Sequence, residues 1–168
     1  MSLIHWQENW TLGIDVIDAE HQGLVDAINQ ITTQFSKDTG DMASPDAVSP
    51  NLGVSAVPAV RHDNLHAALM AFAAQAREHF KHEENLMRNI GYPDLAGHRS
   101  EHALLLAEYI EMARDLERQG IRRLDGETML ALHHWLVGHM VGADRDYADY
   151  YFALVGAREA QTENHKVE

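Results

Sequence analysis

The chain of 168 residues is long enough for one domain with a substantial core and too short for two. It contains no cysteine, which excludes a disulfide framework, thiolate zinc sites and cysteine-ligated iron–sulfur clusters, so any bound metal must be held by nitrogen and oxygen atoms. The formal net charge of −13 argues against nucleic acid and anionic membranes as partners, because the field of the protein repels both.

The amino-terminal stretch MSLIHWQENW has neither a basic start nor a long apolar segment. No later run approaches the roughly 18 apolar residues that a membrane-spanning helix requires. We therefore expect a soluble, cytoplasmic protein. The unusual feature is the number of histidines, which is 12, and most of them fall within segments that have a helical pattern.

Apolar residues recur in steps of three and four along four segments, which is typical of amphipathic helices. No segment alternates as a strand would. The first helix carries an apolar stripe from Ile17 to Phe35. Its candidate N-cap is Asp18, and the helix is expected to end near Ser36.

Residues 37–61 contain three prolines together with glycine, serine and other small residues, and they match no regular period. We interpret them as a long loop between the first two helices, and we expect this loop to be mobile rather than functional. The second helix is predicted from about His62 to Ile90. Gly91, directly after it, is typical of a helix C-terminus.

The third helix is predicted to start near Asp94 and to stop at Gly120. The fourth helix starts at Asp125, a candidate N-cap, and runs toward Ala143. The last two connections between helices are short. The pattern therefore predicts an all-α fold, an antiparallel up-down-up-down four-helix bundle.

The bundle is expected to cover residues 1–147. Residues 148–168 are interpreted as a C-terminal extension, with an aromatic amphipathic turn or two followed by a polar, frayed end. The oligomeric state is left open, and a monomer is compatible with the sequence.

The second helix places two polar residues on its apolar stripe. This stripe continues through His79 and Glu83 to Ile90, so both polar side chains are predicted to point into the bundle. His82 and Glu84 fall outside the stripe and are assigned to its edge or to solvent. A single buried histidine would most simply be a core residue satisfied by one hydrogen bond.

The other three helices also carry histidines on their apolar stripes. These are His21 on the first helix, His98 and His102 one turn apart on the third, and His139 on the fourth. Unpaired, these buried groups would cost roughly 1 to 3 kcal/mol each. A shared metal removes that cost, because imidazole with carboxylate suits iron, zinc, copper or nickel. So many donors exceed one tetrahedral zinc and fit two metals that share ligands.

Two metals that share ligands need a second carboxylate, and the candidate is Asp144. Its separation of five residues from His139 is about 140° around a regular helix, so a regular helix does not place both on one face. Gly138 and Gly142 lower the helix propensity there and permit a distorted or ending last turn. Periodicity alone does not distinguish Asp144 from Asp146.

These seven candidate ligands resemble the ligand set of the hemerythrin family in order and spacing. That set reads as a lone histidine on the first helix, HxxxE on the second, HxxxH on the third and HxxxxD at the end of the fourth. The neighbouring segments GIDVIDAEH, EENLM, GYP and WLVGHM agree, as does Tyr147 three residues after Asp144. The resemblance spans about residues 6–147.

The resemblance implies two non-haem iron ions, bridged by an oxo or hydroxo group, with dioxygen as a ligand. One iron would be bound by His98, His102 and His139, the other by His21 and His79, and Glu83 and Asp144 would bridge the two irons. The iron with fewer histidines would keep an open position for dioxygen in an apolar pocket. Leu24, Trp135 and Leu136 are candidate lining residues, although ordinary core packing explains them equally well.

Reversible dioxygen binding, for carriage, storage or scavenging, is the leading functional hypothesis, and it makes the protein a binder and no enzyme. One alternative is an oxygen or redox sensor, for which the chain carries no recognisable output domain. Another is a di-iron redox enzyme acting on peroxide or nitric oxide. The paired ExxH motifs of ferritin-like di-iron enzymes are missing from the sequence, which counts against that enzyme type.

The remaining histidines of the helical segments are interpreted as solvated surface residues. They are His62, His66, His133 and His134. The segment HEENL is a near match to a zinc protease helix but has Leu86 where the second histidine is required, so that interpretation fails.

Overall fold

The computed structural model describes residues 3–37 and 64–164, and side chains as far as residue 157. A short 3₁₀ helix at Glu8–Trp10 is followed by five α-helices. They are α1 (Asp15–Phe35), α2 (Leu65–Ile90), α3 (Leu95–Arg118), α4 (Gly126–Val141) and α5 (Ala143–Asn164). Residues 38–61 of the predicted loop, together with His62, lie outside the described residues.

The first helix begins earlier than the sequence predicted. Its N-cap is Ile14, and the prediction that Asp18 caps it is wrong. The Asp18 carboxylate instead accepts hydrogen bonds from the backbone N–H groups of Leu12, at 2.7 Å, and Gly13, at 2.9 Å. Asp18 therefore ties the preceding segment to the first turn of α1, a tertiary role that helix periodicity does not reveal. The predicted end near Ser36 is confirmed.

Helix α2 begins at Leu65 rather than near His62, and the other predicted helix ends agree with the structure to within about two residues. Asn64 caps α2 by accepting from the N–H of Ala67, and Gly91 closes that helix in the left-handed conformation, with φ of 69°. Asp94 is the N-cap position of α3. Asp125 caps α4 by accepting from the N–H of Thr128 at 3.0 Å, as the sequence predicted.

The helices form the predicted antiparallel four-helix bundle. Leu124, just before α4, donates to the carbonyl of Phe35 at 2.7 Å and accepts from the N–H of Lys37 at 3.0 Å. The end of α1 therefore lies beside the start of α4, and these two helices run in opposite directions. The short turn after Gly91 folds α3 back along α2. Within residues 3–37 and 64–164 there is no strand, only an isolated bridge between Ser36 and Leu124.

The fourth position of the bundle is filled by two helices rather than one. Helix α4 ends at Gly142, whose backbone angles are φ −100° and ψ −96°, and α5 begins at the next residue. Helix α5 then continues to Asn164, so the segment after residue 147 is much longer as a helix than the predicted turn or two. No helix in the described ranges has the length and apolar character needed to cross a membrane.

Two apolar clusters fill the bundle, one on each side of a layer of polar residues. The larger cluster includes Leu24, Leu69, Phe72, Leu132 and Leu136, and all of these side chains are almost completely buried. The smaller cluster consists of Leu12, Ile17, Met87, Tyr147 and Ala148. Met87 is fully buried while Ile90 is only half-buried, so the inward face of α2 turns slightly from the predicted stripe.

Replacing Leu69 with alanine should lower the free energy of unfolding of the metal-free protein by about 2 to 5 kcal/mol, because a fully buried leucine would leave a cavity. Urea unfolding monitored by circular dichroism measures the change. Leu104→Ala is the matched control, since Leu104 is 64% exposed and its truncation should change the value by less than about 0.5 kcal/mol. Equal effects of the two substitutions would contradict the assigned core.

Candidate metal centre

The polar layer between the two clusters contains all seven candidate ligands. Their burial is unusual for titratable residues, since His21, Glu83 and Asp144 are 0% exposed and the other side chains are at most 7% exposed. Each helix contributes at least one residue of the layer. The full set is His21 from α1, His79 and Glu83 from α2, His98 and His102 from α3, His139 from α4 and Asp144 from α5.

Five of these residues form one group of donors whose ligand atoms all lie within 4.8 Å of one another: Glu83, His98, His102, His139 and Asp144. The Nε2 atoms of His98 and His102 are 3.0 Å apart. Asp144 Oδ1 lies 3.2 Å from His139 Nε2 and 3.4 Å from His98 Nε2. Glu83 Oε2 completes the group at 3.2 Å from His102 Nε2.

A second, smaller group consists of His21, His79 and Glu83. The Nε2 atom of His21 is 3.6 Å from Glu83 Oε1, and that of His79 is 3.5 Å from Glu83 Oε2. Asp144 also approaches this group, with Oδ2 3.4 Å from His21 Nε2. Both carboxylates therefore lie between the two groups of histidines, which is the position from which a carboxylate can bridge two ions.

The break between α4 and α5 places Asp144 in the layer. The N–H of Gly142 bonds back to the carbonyl of His139, and the N–H of Arg145 bonds to the carbonyl of Gly142, so the helical path resumes after one irregular residue. A Cβ atom on Gly142 would lie 3.0 Å from the carbonyl oxygen of Gly138, which leaves little room for a side chain there. The predicted distortion near Gly142 is present, and Asp146 stays exposed.

The donor atoms fit a metal better than they fit one another. Both oxygens of Asp144, Oε2 of Glu83, both nitrogens of His21 and Nε2 of His139 are buried without a hydrogen-bond partner. Such unpaired atoms are costly in a core, at roughly 1 to 3 kcal/mol each. Metal–nitrogen bonds of about 2.1 Å would hold neighbouring donors roughly 3 Å apart, close to the separations observed here.

The electrostatics of the layer favour cations. Burial and the repulsion between the two carboxylates oppose ionisation, yet the surrounding histidines hold the pKa of Glu83 and that of Asp144 below the usual range. Burial likewise disfavours a charged His21, but Asp144 and Glu83 outweigh it and raise its pKa to about 9. Asp144 also raises the pKa of His139 against the effect of burial. The two carboxylates therefore favour positive charge in the layer, either on the histidines or as a metal ion.

Three residues outside the candidate set form hydrogen bonds with candidate ligands. Glu20 Oε2 lies 2.9 Å from Nδ1 of His79, and Glu84 Oε1 lies 3.2 Å from Nδ1 of His102. The Tyr147 hydroxyl donates to Glu83 Oε1 at 2.8 Å. Burial and the nearby carboxylates raise the pKa of Tyr147, which keeps the hydroxyl protonated and able to donate.

Sequence reasoning did not assign a role to Glu20, and it placed Glu84 at the edge of the stripe or in solvent. The structure puts Glu84 at the edge, with its side chain 18% exposed. The sequence contains 26 acidic residues, and no periodic signal distinguishes these two from the rest. Their contacts join different helices, so only the packing of α1 on α2 and of α2 on α3 reveals them.

A small apolar cavity of about 10 Å³ adjoins the layer, which is room for one molecule about the size of water. The three candidate pocket residues line it together with histidines from both donor groups. The lining residues are Leu24, Ala76, His79, Phe80, Leu105, Trp135, Leu136, His139 and Met140. The Trp135 indole is fixed by donating to the carbonyl of Leu105 at 2.9 Å, and Phe80 stacks on His102 with 3.9 Å between ring centroids.

The three extra histidines within the described residues, His66, His133 and His134, lie away from the layer. His134 is exposed, in agreement with its interpretation as a surface residue. His66 and His133 are half-buried instead, because His66 contacts Glu117 at 3.3 Å and His133 packs against Trp10.

Comparisons with known proteins identify relatives along almost the whole chain. The sequence model of a family described as "Hemerythrin HHE cation binding domain" matches residues 12–151. Bacteriohemerythrin of Stenotrophomonas maltophilia is 27% identical over 164 residues, which cover 96% of this chain and 92% of that protein. Bacteriohemerythrin of Clostridium acetobutylicum is 23% identical over 155 residues, which cover 86% of this chain and 98% of that protein.

A crystal structure of wild-type hemerythrin resembles the present fold with a TM-score of 0.64 at 21% sequence identity. The superposition covers 88% of this chain and 97% of that chain. At this level of identity the likeness establishes the shared helical fold.

Glu83→Ala should reduce binding of a divalent metal such as zinc at both donor groups, because Glu83 belongs to both. His79→Ala should reduce it only at the smaller group. Both variants should stay helical and be less stable when metal is present, since an ion that binds the folded state stabilises it. Metal analysis after desalting and circular dichroism measure these outcomes. His134→Ala is the control, and unchanged metal content in Glu83→Ala would contradict the site.

The metal-free protein should lose stability as the pH rises from 6.5 to about 9. The pKa of His21 is raised on folding, so the stabilisation from its charge is complete below the unfolded value of 6.5 and is lost as the pH passes 9. The full effect is at most about 3 kcal/mol. Urea unfolding across this range should show a flatter profile in His21→Gln than in the wild type or in His134→Gln. Identical profiles would show that His21 does not hold the extra proton.

Proposed function

The chain belongs to the hemerythrin family, and from that premise we propose that it binds dioxygen reversibly at a pair of non-haem iron ions. The observation that carries the proposal is the buried layer of five histidines and two carboxylates, whose unpaired donor atoms converge in two groups. Imidazole and carboxylate donors suit iron, and no thiolate is present to favour another metal.

The residues of the larger group would hold one iron through three histidines, and the smaller group would hold the other through two. The carboxylates of Glu83 and Asp144 lie between the groups and would serve both ions. When bound, the irons supply the electrons that make reversible dioxygen binding feasible. The role of the protein is to fix the donors, to leave one coordination position free and to control the surroundings of that position.

The unequal donor sets support an open position on the side of the smaller group. This group has two histidines against three, so its ion would keep coordination positions that protein atoms do not fill. The apolar cavity is lined by His79 of this group and also by His139 of the larger group, with Leu24, Ala76 and Leu136 among its walls. Apolar walls exclude water, which would compete for the open position and would assist the escape of charged oxygen species.

The polar groups around the proposed oxygen site are held by hydrogen bonds within the protein. The Tyr147 hydroxyl donates a hydrogen bond to Glu83, and the outer nitrogens of His79 and His102 contact carboxylates. The apolar cavity that reaches both donor groups is only about 10 Å³ in volume, so it has room for a very small molecule. We therefore propose a binding protein and no enzyme.

The test is an absorption spectrum of the protein loaded with ferrous iron, taken through an anaerobic, oxygenated and degassed cycle. A band that appears with oxygen and disappears on degassing is the expected result. Irreversible conversion to a ferric spectrum would overturn reversible binding and would favour redox sensing or catalysis at the same site.

A pair of matched variants tests whether the cavity admits the oxygen. Ala76 lines the cavity, so Ala76→Val fills part of its volume. Ala73→Val adds the same atoms at a buried position of α2 that does not line the cavity. Both should lose some stability through overpacking. Only Ala76→Val should weaken oxygen binding at unchanged iron content, and equal oxygen affinities would rule out this cavity as the site.

A further inference from the structure

Two histidines of the layer have carboxylates on their outer nitrogens, and the two belong to different donor groups. His79 of the smaller group contacts Glu20, at 2.9 Å between Nδ1 and Oε2. His102 of the larger group contacts Glu84, at 3.2 Å between Nδ1 and Oε1. Each contact crosses a helix interface, from α2 to α1 and from α3 to α2.

These contacts determine which nitrogen of each ring carries the proton. An ionised carboxylate can only accept hydrogen bonds, so Nδ1 of each ring must be the donor. In a neutral imidazole the lone pair then lies on Nε2, which faces the layer. The Nε2 atoms of His79 and His102 lie 3.5 Å and 3.2 Å from Glu83 Oε2, so acceptors face acceptors unless a cation lies between them.

We propose that Glu20 and Glu84 are positioning residues, each of which fixes the ring orientation and tautomer of the histidine in one half of the metal centre. The inference rests on the proposed function, because it assigns each residue to one of the two ions. A carboxylate on the outer nitrogen also makes the ligating nitrogen a stronger donor.

The two carboxylates are themselves held differently. Glu84 Oε2 pairs with the guanidinium of Arg99 at 3.0 Å, and that group is charged at every relevant pH. Glu20 Oε1 instead contacts Nδ1 of the surface residue His82 at 2.6 Å.

The first experiment measures the tautomers in the protein loaded with zinc, which is diamagnetic and needs no oxygen. In ¹⁵N-labelled protein, the wild type should show protected Nδ1–H signals from His79 and His102. Glu20→Ala should lose or shift only the His79 signal, and Glu84→Ala only that of His102. A purely structural role on the helix surface would leave both signals in place.

The second experiment measures the affinity of each zinc equivalent by competition with a chelator. Glu20→Ala and Glu84→Ala should each weaken one of the two equivalents by about 10- to 100-fold and leave the other within a few-fold. Glu20→Gln keeps an acceptor oxygen and should recover part of the loss at its site. Glu78→Ala is the matched control. This exposed glutamate of α2 forms an ion pair with Lys81 and, among the described residues, with no other side chain.

Two different failures can be told apart. In the first, both alanine variants bind two zinc equivalents with wild-type affinity and show unchanged Nδ1–H signals. This result would overturn the positioning roles and leave the metal centre intact. A wild-type protein that binds fewer than two equivalents would overturn the two-ion centre itself, and the positioning roles would fall with it.

Discussion

The cost of keeping polar atoms away from water is the constraint on which the rest of this structure depends. A buried donor or acceptor without a partner costs about 1 to 3 kcal/mol, and a whole domain is typically stable by only 5 to 15 kcal/mol. Eight side-chain atoms in the described part of the chain are buried without a hydrogen-bond partner, and six of them belong to the layer. Cations shared by the histidines and carboxylates would offset this cost, which would explain why the donors occur together.

The layered packing follows from where each helix places its polar residues. On α1, Ile17 packs in the smaller apolar cluster and Leu24 in the larger one. His21, between them in the sequence, lies in the polar layer. The same alternation occurs on α2, between Ala76 and Met87. The apolar clusters on both sides keep water away from the layer, and the small apolar cavity lies beside it.

Most of the fold and six of the seven candidate ligands could be predicted from the sequence, because a residue's place on a helical stripe indicates whether it is buried. Asp144 could not be placed by period, since its direction depends on the irregular backbone at Gly142, and the family resemblance was needed to select it. The N-cap assignment of Asp18 failed because its bonds run to the segment before the helix. Glu20 and Glu84 stayed hidden because their contacts exist only after the helices pack.

Because the donors come from every helix, a metal bound by them would cross-link the helices as well as occupy a site. The chain has no cysteine and therefore no disulfide, yet ions held by these donors would tie positions from His21 to Asp144 to common points. Joining chain segments so far apart removes much of the conformational freedom of the unfolded state, as a disulfide across a long loop does. Unlike a disulfide, such a tie forms in a reducing environment and depends on the supply of metal.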